Sequence, residues 1–187
     1  MMQRTMEEHE ASPHADKSCA TCHLPPTDVV GSRRLHDHSL GSTRDPNAMR
    51  QALQVTAKRD GNDLVVTLVP HEVGHAFPTG DLYRRLEIGA ELHANGERIG
   101  SATRYLARHF APWRLPSGAL NPAFQWPVVD DRITEPTTIR LAIKSDVDST
   151  DTALTWWVDY QRVDERHADA PGESSIADEI RLAAGTL

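Results

Sequence analysis

Residues 85–100 read RLEIGAELHANGERIG, and this stretch decides the fold. Leu86, Ile88, Ala90 and Leu92 fall on one side of an extended chain and Arg85, Glu87, Glu91 and His93 on the other, because successive side chains of a strand point to opposite faces. The first face belongs to a core and the second is expected to be wet. Asn95-Gly96 follows at once. Both residues tolerate positive φ, so the pair predicts a tight hairpin, with GERIGSATRYLA returning as the partner strand.

The pattern stays extended on either side of this hairpin. DLVVTLV (63–69) is a β-branched run bounded by Gly61-Asn62 and Pro70, and further strands are expected at TTIRLAI (137–143) and ALTWWVDYQRV (153–163). The proline-rich stretch APWRLPSGALNPAFQWP (111–127) is too long for a hairpin and is expected to cross between two sheets. These elements predict a mainly β, α+β protein: an immunoglobulin-like β-sandwich of about six or seven strands. Asp45-Pro46 reads as an N-cap with proline in the first turn. A helix is expected to follow, with Met49, Leu53 and Thr56 on one side and Gly61 just past its end. Ser175 and Asp178 are expected to cap a C-terminal helix over 176–184 that buries Ile176 and Ile180. The resulting division is 1–60, a segment of loops and short helices, and 61–187, the β-sandwich with its terminal helix.

The 187 residues are 39% hydrophobic and 25% charged, which suits a globular chain with a real core. No apolar run approaches the roughly 18 residues needed to cross a bilayer as a helix. A net charge of -7 excludes an electrostatic grip on nucleic-acid phosphates or anionic lipid. Protein partners fit better.

The two halves differ in what they can bury. All ten Phe, Trp and Tyr residues lie between Phe77 and Tyr160, whereas His9, His14, His23, His36, His38, His71 and His75 precede them. A front segment so poor in large apolar side chains cannot offset its chain entropy alone, so something else must fill it. The only two cysteines, Cys19 and Cys22, stand in SCATCH (18–23). Thiols three residues apart lie on one side of a helical turn, where they can form thioethers to the two vinyl groups of a haem while His23 meets the iron, and Cys-x-x-Cys-His is the signature of that attachment. A zinc site would need a fourth ligand, such as His36 or His38. A dithiol redox motif should open a helix after a strand, but this motif follows a polar segment and precedes Pro25-Pro26. The haem reading also accounts for the missing aromatics, because the macrocycle would itself be the core of the front segment.

The sixth position has several candidates. His36 and His38 lie on a connection long enough to fold back over the ring, and Met49 is a weaker choice. His75, in PHEVGHAFPTGD (70–81), is held in a stiff turn by Gly74, Pro78 and Gly80. It can approach a haem, bind a second metal with His71 and Glu72, or tie strands together. DVDSTD (146–151) lacks the glycine and the distal glutamate of a calcium loop and reads as a hairpin turn.

CATCHLPP, HDHSLGSTRDP, VGHAFPTGDLYRRLEI and DDRITEP, in this order over about residues 12 to 140, resemble the C-terminal haem-binding part of bacterial multihaem c-type cytochromes related to the nitrifier tetrahaem type. The family carries several haem motifs where this chain has one. The resemblance implies Cys19 and Cys22 as covalent attachments of one haem c and His23 as the proximal ligand. It also implies His38 as the distal ligand, because His-Ser-Leu looks like the family's His-x-Phe step, with His36 in reserve. The function expected is an electron-transfer module that meets redox proteins, either other cytochromes or further haem domains. The competing readings are a zinc-stabilised binding module and a haem sensor or peroxidase-like protein with an open sixth position. No acid–base or nucleophile constellation marks a substrate-converting enzyme. Covalent haem attachment is extracytoplasmic in bacteria, so a periplasmic or other extracytoplasmic location is expected, although residues 1–16 show no export signal.

Overall fold

The computed structural model describes residues 4–30, 33–39, 45–80, 83–145, 151–164, 172 and 174–187. The 146–150 part of the expected DVDSTD turn lies outside them. Three short helices, α1 (Thr5–Glu10), α2 (Cys19–His23) and α3 (Pro46–Ala52), alternate with a small hairpin of β1 (Pro26–Val30) and β2 (Arg33–His36). The remaining strands are β3 (Leu53–Asp60), β4 (Asp63–Pro70), β5 (Arg84–Ala94), β6 (Glu97–Arg114), β7 (Leu120–Asp130), β8 (Thr137–Leu141), β9 (Thr152–Val163) and β10 (Ile176–Thr186). They form a five-stranded sheet ordered β10-β9-β5-β6-β7 and a three-stranded sheet ordered β3-β4-β8, with antiparallel pairing throughout.

The alternation in β5 sets the core. Leu86, Ile88, Ala90 and Leu92 are fully buried and pack in one cluster with Leu64, Val66 and Leu68 of β4 and Leu154 and Val158 of β9. Each large aliphatic side chain removed from water in this way contributes about 1.5–3 kcal/mol. Asn95 (φ 52°) and Gly96 (φ 82°) make the expected β5–β6 turn.

The opposite face of β5 is polar, buried at its Arg85 end and partly exposed at Glu91 and His93. Arg85 is 3% exposed, with its Nε donating to Gln161 Oε1 at 2.7 Å and its guanidinium over the Tyr105 ring. Gln161 Nε2 in turn donates to Glu87 Oε2 (2.9 Å) and Glu179 Oε2 (2.8 Å). Asp159, 1% exposed, accepts from Arg181. Buried polar groups persist because they satisfy one another.

Four expectations need correction. The helix after Asp45 stops at Ala52, although Asp45 Oδ1 does cap it by accepting from Asn47 N (2.9 Å). Leu53, Val55 and Ala57 then alternate as strand β3, and Gly61 (φ 64°) forms a two-residue hairpin turn with Asn62 rather than ending a helix. The expected 60/61 boundary therefore falls inside the β3–β4 hairpin. The expected C-terminal helix is strand β10, paired with β9 along its length. Residues four apart share a face in a strand as well as in a helix, so Ile176 and Ile180 did not discriminate, and Ile176 is exposed.

The stretch 111–127 is not a crossover. Strand β6 continues to Arg114, a turn closes with Leu115 N on Ala119 O (2.9 Å), and β7 returns beside β6. The sheet change comes between β7 and β8. Finally, the segment after the cysteine motif is not all loop, since β1 and β2 pair within it.

Candidate functional site

Helix α2 is the CATCH motif itself. Ser18 stands before it in extended conformation, Ser18 Oγ lies 3.0 Å from Thr21 Oγ1, and Leu24 N closes the turn on Ala20 O (2.9 Å). The helix buries none of its residues, and Cys19 and Cys22 are exposed free thiols. The β1–β2 hairpin folds back on its end: His36 Nδ1 donates to Leu24 O at 2.7 Å and Asp37 N to Pro25 O at 2.9 Å. Val29 (66%) and Leu35 (46%) remain exposed on this hairpin, so the front segment has no core of its own.

The GHAFPTGD turn between β4 and β5 is anchored in the sandwich. Phe77 exchanges two 2.8 Å backbone hydrogen bonds with Ile133, Ala76 and Phe77 are buried, and the Phe77–Pro78 peptide is cis. This anchorage presents His75 to helix α2. The His23 and His75 rings lie with centroids 6.0 Å apart and planes 12° from parallel. His75 Nδ1 faces Ala76 O at 3.3 Å. A carbonyl only accepts, so Nδ1 carries the hydrogen and Nε2 keeps the lone pair that binds metals. Burial, with help from nearby His23 and His9, pushes the His75 imidazole below its ordinary 6.5 against the opposing pull of Ala76 and Glu8. The neutral, ligating form is favoured.

Helix α1 connects the segments that carry His23 and His75. Glu8 Oε2 accepts from Ala76 N (3.2 Å), and Glu8 Oε1 takes Arg108 Nη2 (3.0 Å) and Arg132 Nη2 (2.5 Å). Both guanidinium groups are nearly buried, and Asp130 completes the cluster. His9 spans from Gly74 O (Nδ1, 3.0 Å) to Lys17 O (Nε2, 2.8 Å).

The structure thus brings together His23 and His75 beside Cys19 and Cys22, while His36 holds the backbone behind α2 and His38 is exposed on the strand exit. Sequence reasoning missed Glu8, His9 and Arg132. MEEHE reads as an ordinary polar helix, and no local pattern points to partners more than sixty residues away.

These residues fit a covalently attached haem. Two exposed thiols share one helical turn with His23, and the 6.0 Å between the His23 and His75 ring centroids is comparable to the span of two imidazoles each about 2 Å from one metal. The uncovered apolar side chains of the hairpin lie on the same segment. Among the described residues, no three His, Cys, Asp or Glu side chains are gathered as a zinc site requires.

No family model and no curated protein matches this chain. One solved structure matches in fold. It is a penta-heme cytochrome c552 from Thermochromatium tepidum, with a TM-score of 0.63 and 19% sequence identity, covering 100% of this chain and 50% of that one. The chain therefore spans about half the length of that cytochrome and shares the fold of that half. Among the described residues no helix is long and apolar enough to cross a membrane.

Proposed function

We propose that the chain is an electron-transfer module carrying one haem c, attached through Cys19 and Cys22, with His23 and His75 as axial ligands. The observation that carries this reading is the near-parallel pair of imidazoles 6.0 Å apart beside two exposed thiols. The fold shared with a multihaem cytochrome supports it. The haem would supply reversible one-electron chemistry at iron. The chain's residues fix the group and its surroundings. The thiols would hold it covalently, His23 would ligate from the helix, and His75 would ligate from the turn, its tautomer set by Ala76 O. With both histidines bound, the iron would keep no position for a substrate, which favours a carrier over a sensor or a peroxidase. Its partners are other redox proteins or further haem domains, and its location is extracytoplasmic, where such haem attachment takes place.

His38, implied by the family resemblance, is the competing distal ligand and is exposed at the strand exit. The test is the absorption and electron paramagnetic resonance spectrum of protein matured with covalent haem. The parent and His38→Ala proteins should be low-spin and closed to carbon monoxide, whereas His75→Ala should become high-spin and bind it. A high-spin His38→Ala protein beside a low-spin His75→Ala protein would reverse the assignment. A colourless, zinc-bearing product would reject the haem.

A further inference from the structure

We propose that His9 is a positioning residue that fixes the spacing of the two axial histidines by bracing the backbone on which each is carried. This rests on the reading of His23 and His75 as the axial pair. One ring nitrogen contacts the carbonyl of Lys17, immediately ahead of the α2 cap, and the other contacts the carbonyl of Gly74, immediately before His75. Backbone carbonyls only accept, so each contact is a hydrogen bond when the ring nitrogen that makes it carries the hydrogen, and the ring lies between the two carbonyls in either tautomer. A single rigid imidazole then bridges the two segments. Glu8, the preceding residue, holds the same turn at Ala76 N and is itself locked by Arg108 and Arg132. The brace is therefore mounted on the sandwich.

Gly74 is shaped to this contact. A Cβ at position 74 would stand 2.7 Å from His9 Nδ1, closer than real side chains approach, and a tight 3.2 Å from His9 Cε1, while His14 Cβ would be at an ordinary 3.5 Å. The glycine is required by the histidine ring rather than by backbone conformation. Alanine at position 74 should dislodge the brace, and it should do so only while the ring is present.

The test uses the haem-loaded full chain and reads spin state and carbon monoxide access of the reduced protein, which a general loss of stability would not move. His9→Phe fills the volume without donors. It should retain covalent haem yet raise carbon monoxide binding about tenfold, the effect expected when a partner that orients a metal ligand is lost. Gly74→Ala should act in the same direction. The His9→Ala/Gly74→Ala pair should be no worse than His9→Ala alone, because the clash disappears with the ring. Low-spin, closed His9→Phe protein would overturn the brace while leaving the axial pair intact. Additive effects in the double variant would also overturn it. If His9→Phe does not accumulate, Gly74→Ala and the double variant decide. A His75→Ala protein that stays low-spin would instead sink the axial assignment itself.

Discussion

Glu8 Oε1 accepts from Arg132 Nη2 at 2.5 Å, which seats the N-terminal helix on the loop leading into β8. The Arg132 side chain is only 4% exposed, so Glu8 and Asp130 are what make its burial tolerable. Glu8→Gln keeps the shape and removes the charge. Loss of a hydrogen-bonded charge in such a place costs about 2 kcal/mol, or a fall in Tm of about 4–8 °C for a chain of this size. Differential scanning calorimetry of parent and variant measures it, and an unchanged Tm would contradict the role given to the cluster.

The same cluster sets an acid limit. Burial alone would raise the carboxyls of Glu8, Asp130 and Asp131. Arg132 and Arg108 outweigh it for the first two, and His109 with the Ala107 N–H for the third, so all three lie below their ordinary values of 4.5, 3.8 and 3.8. A carboxyl depressed by folding contributes stability that is present above its unfolded value and is lost as pH falls through the folded one. Urea midpoints should therefore drop as pH falls below about 4.5, beyond the earlier decline that the depressed His75 imidazole brings below 6.5. Glu8→Gln should shallow that drop. A midpoint that rises on acidification would refute the sign.

Trp157 packs on the backbone of β5 where Gly89 leaves room. A Cβ at 89 would come within 2.2 Å of the Trp157 ring, whose Nε1 donates to Glu87 Oε1 at 2.9 Å. Gly89→Ala should displace the indole and cost about 1–3 kcal/mol as an overpacked site. Tryptophan fluorescence and chemical denaturation should both report it.

Strand β10 covers one edge of β9, and its Arg181 neutralises the buried Asp159. Ending the chain before Ile176 would expose a long strand edge and leave that carboxylate uncompensated. The truncated protein is expected to aggregate, as size-exclusion chromatography would show. A soluble monomer with the parental Tm would argue against this part of the sheet order.

The sandwich was legible where apolar and polar residues alternate without interruption, as in β5, and where a turn demands positive φ, as at Asn95-Gly96. It was misread where one pattern serves two structures. Gly61 ends a helix or turns a hairpin with equal ease, and Ile176 with Ile180 shares a face in either element. Of the site, the sequence marked the Cys19, Cys22 and His23 motif and the stiffness of the turn around His75. It did not say where that turn points.

The sequence alone determined the local chemistry of this protein: two thiols and an imidazole within one helical turn, a front segment too poor in apolar side chains to fill itself, and strands with one buried face. Those are consequences of spacing and composition, which act over a few residues. Only the tertiary structure decided which histidine faces His23, because that depends on Phe77 pairing with Ile133, on Glu8 locking into Arg108 and Arg132, and on Gly74 yielding space to His9. These contacts join residues far apart in the chain, and no short-range pattern encodes their meeting.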